Sequence, residues 1–162
     1  MVRVRAALLA CLYLTMVSSS AAEGTFDPSA RLGDLMFFAL DHGIASIDDG
    51  ARLVPFVASE TGGVRGLDRF AAEPYERAMS EARVFASKLA SSVTVYAIAY
   101  DGFITVDGNK YDAIIVHGAE RGKGDSYLLA QRYRPAKAGS PIEAIGNPAY
   151  LGREPSLLRN VP

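Results

Sequence analysis

Apolar residues recur at steps of three and four along the first third of the chain: Leu32, Leu35, Met36, Ala39, Leu40, Gly43, Ile44 and Ile47. That spacing lays one apolar stripe along a helix. Asp27-Pro28 supplies a cap and a residue suited to the first turn, so a helix is predicted over about residues 28–46, stopped by Asp48-Asp49-Gly50. A second stripe of Tyr75, Ala78, Met79, Ala82, Phe85, Ala86 and Leu89 predicts a helix over about residues 73–90. On its wet side Glu73, Arg77 and Glu81 are spaced to pair.

Between and after these stripes the pattern is that of strands. Residues 52–59 are rich in Val, Leu and Phe, and Pro55 implies a sheet edge or a bulge there. Thr61-Gly62-Gly63 marks a turn into a second arm at 64–70. Residues 93–106 read as one long strand bent at Asp101-Gly102, or as two arms with a type I′ turn at that Asp-Gly pair. Strands follow at 111–118 and 125–134, the last halted by Pro135. Pro141, Pro148, Pro155 and Pro162 then punctuate a stretch with little periodicity. Residues 136–162 are therefore expected to be an irregular C-terminal extension, with at most a short strand at 142–146.

The order α-β-β-α-β-β-β, with strands adjacent in sequence, predicts an α+β fold. It is a mainly antiparallel sheet of about five strands with two helices packed on one face, one domain over 27–135. Roadblock-type and profilin-like domains have a similar element order, a likeness of fold alone.

Composition changes this picture at the N-terminus. Arg3 and Arg5 precede an apolar run from Ala6 to Val17, and small residues follow, with Ser20 and Ala22 placed as a signal peptidase requires. This is the layout of a secretory signal over residues 1–22, too short to span a bilayer as a helix. Leu8-Leu9-Ala10-Cys11 resembles a lipoprotein box, but the apolar stretch before Cys11 is short for one. Cleavage after Ala22 would leave a periplasmic or secreted domain, touching the membrane only through its export signal. A start codon placed too far upstream would instead leave a cytoplasmic protein. The single cysteine, Cys11, leaves with the signal, so the mature domain is without disulfides, thiolate chemistry or cysteine metal ligands. The net charge of −1 lacks the basic surplus that nucleic-acid binding needs.

Five landmarks carry a resemblance. They are Leu53-Val54-Pro55-Phe56-Val57 with Glu60, Ala99-Tyr100-Asp101-Gly102, Val106-Asp107-Gly108, Ala130-Gln131-Arg132-Tyr133 and Gly146-Asn147-Pro148-Ala149. In this order and spacing the chain resembles a family of short, uncharacterised bacterial proteins from about Leu32 to Gly152. The resemblance implies a small α+β domain and brings no activity; the leader departs from its pattern.

Candidate chemistry is sparse. The chain has two histidines. His42 adjoins the apolar stripe of the first helix and reads as a partly exposed surface residue. His117 lies three residues before Glu120, and with Asp101 and Asp112 it makes a candidate polar site for proton transfer or a metal. No H-E-x-x-H spacing accompanies it, and Asp101 and Asp107 precede glycines as turn residues do. There is no G-x-S-x-G, and Gly122-Lys123-Gly124-Asp125-Ser126 departs from a phosphate loop. No cofactor or metal is implied. The unusual feature is tyrosine in the β half. Tyr96 and Tyr100 share one strand face, Tyr127 and Tyr133 another, and Arg132 and Arg134 point opposite to the second pair. Tyr and Arg are enriched where proteins meet. The reading is a non-enzymatic binding or interaction domain that self-associates or docks a protein partner. The alternatives are a small hydrolase or metal-assisted enzyme using His117, Glu120 and nearby aspartates, and a small-ligand binder with a pocket between helix and sheet.

Overall fold

The computed structural model describes residues 24–47, 51–136 and 142–158. The expected signal and the Asp48-Asp49-Gly50 stop lie outside the described residues. Helix α1 spans Ala30–Ala45, where the stripe places it. Its cap is Ser29 rather than Asp27: the Ser29 hydroxyl accepts from the Leu32 N–H at 3.2 Å. Helix α2 spans Tyr75–Ser87.

The strands are β1 (Phe56–Thr61), β2 (Val64–Arg69), β3 (Val95–Val106), β4 (Asn109–Glu120), β5 (Asp125–Arg134) and β6 (Glu143–Pro155). They form one antiparallel sheet in the order β2-β1-β3-β4-β5-β6, and the fold is α+β. Two-residue turns join β1 to β2 at Gly62-Gly63 and β3 to β4 at Asp107-Gly108. All four turn residues have left-handed φ, of 58°, 82°, 49° and 76°, as a type I′ turn demands. The tight Asp-Gly turn thus falls at 107–108, and β3 runs unbroken through Asp101-Gly102.

Two expectations are corrected. The extension after residue 136 is not irregular throughout: residues 143–155 form β6, the sixth strand, against β5. β6 is an edge strand with register shifts, and an edge tolerates prolines because their missing N–H faces solvent. The helices also do not share one face. Phe56, Ala58, Val95, Ala97, Ala99, Ile114 and Val116 pack with α1, whereas Val57, Tyr96, Ile98 and Ala119 pack with Ala82 and Ala86 of α2. These sets alternate along each strand, so they point to opposite faces.

Cover on the two faces is unequal. α1 lies across β1, β3, β4 and β5. It approaches β4 closely, for a Cβ on Gly118 would stand 2.7 Å from Met36 Cγ. α2 lies over β1 and β3. Beside it the C-terminal segment crosses the same face: the Leu157 N–H donates to Tyr96 Oη at 3.3 Å, and Leu158 is buried in the α2 cluster. The remaining strip over β4 and β5 leaves Ile115 and Leu128 half-buried.

Candidate functional site

The four residues expected to form one polar site do not meet. Neighbouring strand positions alternate between faces, so His117 lies on the α2 face, against Tyr96, and Glu120 on the other. Glu120 lines a cavity of about 410 Å³ beside the start of α1 with Lys123 and Arg153. Asp101 and Asp112 share the α1 face at the far end of β3 and β4, with Tyr133.

His117 is 1% exposed and its neighbour Ser126 0%. His117 Nε2 lies 2.5 Å from Ser126 Oγ, and that hydroxyl donates to the Glu154 carbonyl at 2.8 Å. The serine proton is thereby committed, so Nε2–H donates to Ser126 and Nδ1 keeps its lone pair. Nδ1 has no partner among the described residues. The Glu154 carboxylate approaches the same nitrogen, at 3.9 Å. A Ser-His-acid relay needs serine and acid on opposite ring nitrogens; here both lie at Nε2, beneath the surface. Burial, then the Arg83 charge, pushes the imidazole down to about 4. The ring is neutral at pH 7, and its contact with Glu154 is not an ion pair. The trio ties β4, β5 and β6 together.

His42 is half-buried as expected, stacked on Phe38 and 2.8 Å from Arg69 Nη2. Burial and the Arg69 charge hold its imidazole below the ordinary range. Nearby Glu60, 7% exposed, faces Arg31 at 3.3 Å and Arg65 at 3.6 Å, which pins α1 to the β1–β2 hairpin.

The expected interaction residues divide in the same way. Tyr96 is fully buried, and Tyr133 donates to Asp101 Oδ1 at 2.9 Å. Tyr127 donates to the Asp27 carbonyl at 2.8 Å and packs edge-on against Phe26, fastening the segment that leads into α1. Tyr100, on β3, packs against the α2 cluster at the border of the strip, and Arg132 remains on the strip, over the Tyr111 ring at 5.1 Å. Arg134 is exposed and pairs with Glu143 across the β5–β6 edge. The strip therefore presents Tyr111, Ile115, Leu128 and Arg132, with Tyr100 and the Arg83 charge of α2 at its border.

Polar groups converge elsewhere, around Asp101. β1 begins at Phe56, opposite Ala99, so the Asp101 N–H lies beyond the reach of β1. Tyr75 Oη accepts it at 2.8 Å. Burial lifts the Tyr75 phenol to about 12 and also raises the Tyr133 phenol, next to Asp101. Burial raises the Asp101 carboxyl, against the opposing hydrogen bond from Tyr133. The Arg52 guanidinium lies over the Tyr75 ring at 4.0 Å. Sequence reasoning missed Arg52, Tyr75 and Ser126 because none sits in a motif of fixed spacing; only the fold brings them to their partners.

Among the described residues no group of three or more His, Cys, Asp or Glu could hold a metal ion, and no helix is long and apolar enough to cross a membrane. No family model, curated protein or solved structure matches the chain.

Proposed function

We propose that this is an exported bacterial binding domain without catalysis, and that it docks a segment of another protein on the uncovered strip over β4 and β5. One observation carries the reading: α1 roofs its face across four strands, whereas α2 lies over two, leaving Ile115 and Leu128 half-buried between tyrosines and arginines. Two strands at about 4.8 Å spacing make a strip roughly 10 Å wide, the width of one helix with its side chains. A stable homodimer needs about 800 Å² per partner, more than such a strip offers. The partner is therefore a single amphipathic segment rather than a second copy. Its flanks are acidic, to meet Arg83 and Arg132.

Export is supported by the charge, apolar run and small residues ahead of Glu23. Phe26 packs against Phe37, Tyr127 and Tyr150, so a mature chain beginning at Glu23 keeps that packing.

A photo-crosslinking residue at Leu128, compared with one at exposed Asp34 on α1, tests the docking reading in the producing cell. One discrete heteromeric adduct from position 128 and none from 34 is expected. No adduct, a dimer of the chain, or the same adducts from both positions contradicts it. Mass spectrometry of the mature chain separates export with cleavage, giving Glu23 first, from a cytoplasmic start.

A further inference from the structure

We infer that a second, separate site surrounds Arg52 and takes a small monocarboxylic acid with an apolar body. Arg52 stands between two cavities. One, of about 520 Å³, is walled by Leu53, Val54, Pro55, Phe70, Ala72 and Ala78. The other, of about 420 Å³, holds Asp101, Asp112, Tyr133 and Phe103. The first falls in the size range of small-molecule sites and has their character, apolar walls with few polar groups.

The guanidinium is positioned, feels the Asp101 charge, and forms no direct ion pair among the described residues. Tyr75 carries it on its ring face at 4.0 Å. The Tyr75 hydroxyl is itself held by the Asp101 N–H at 2.8 Å, so the platform is fixed to the sheet. Among the described residues no carboxylate lies within 4.0 Å of Arg52, although five other arginines there have such a partner. Stacking occupies the face of a guanidinium and leaves its N–H edge, which matches a carboxylate with two parallel hydrogen bonds. Asp101 acts on Arg52 only from beyond ion-pair distance, with its Oδ1 accepting from Tyr133 at 2.9 Å.

Charge selects the ligand. Asp101 and Asp112 share the second cavity with Arg52, and Glu73 lines the first. A dianionic phosphate would bring two negative charges to one cation that already has three acids around it. A monoanion on the far edge of Arg52, with its body against Phe70 and Pro55, meets one matched charge and an apolar wall.

The test uses the mature protein and two probes of one shape, phenylacetate and neutral phenylacetamide, followed by amide NMR shifts at fixed ionic strength. Saturable shifts are expected at Arg52, Phe70, Tyr75 and Ala78. Phenylacetate should bind at least tenfold more tightly than the amide. Arg52→Gln should lose at least tenfold for the acid and little for the amide, while the exposed Arg134→Gln should bind as the parent does. No saturable shift, equal binding of acid and amide, or unchanged binding by Arg52→Gln would overturn the site. Crosslinking at Leu128 is independent of this result.

Discussion

At the residue scale, the histidine that looked most chemical is a structural tie, and its titration exposes that role. The folded imidazole of His117 is pushed down to about 4 from an ordinary 6.5, chiefly by burial. The unfolded chain therefore binds this proton more readily. The contribution to stability is fully present above pH 6.5 and is lost as the pH falls toward 4. The loss is on the order of 3 kcal/mol when complete. His42 is shifted the same way and adds to the slope. Urea unfolding between pH 7 and 5, above the carboxylate range, should show stability falling; His117→Gln, which keeps a donor for Ser126, should fall less steeply. Equal slopes would mean that His117 is not buried neutral. The sequence showed His117 but not its environment. Ser126 is nine residues away and Glu154 beyond an unexpected strand, so only the β4–β5–β6 register joins the three.

At the element scale, both helices and the first five strands were legible, because their apolar periods are regular and Gly or Pro separates them. The sixth strand was not, since Pro148 and Pro155 argue against a central strand and β6 is an edge. The placement of the helices was legible in principle. Val95-Tyr96-Ala97-Ile98-Ala99 is an unbroken apolar run, which in a sheet means burial on both faces; all five residues are buried, under different helices. Close approach of α1 to β4 needs the missing side chain at Gly118, so Gly118→Val should cost about 1–3 kcal/mol in chemical unfolding. Met36→Ala in the same chain should recover part of it, since Met36 is the group displaced. Additive losses would contradict the contact.

At the scale of the whole molecule, the function proposed depends on a sheet roofed on one face and half-roofed on the other. Neighbouring leucines on β5 report on the two faces: Leu129, 2% exposed, lies under α1, and Leu128 lies on the strip. The direct measurement is urea unfolding of Leu128→Lys beside Leu129→Lys. A lysine at 129 buries a charge in the α1 core and should cost more than about 4 kcal/mol or prevent folding, whereas at 128 it reaches water and should cost about 1 kcal/mol. Comparable losses at the two positions would show the second face to be closed, and would leave the docking strip without a surface.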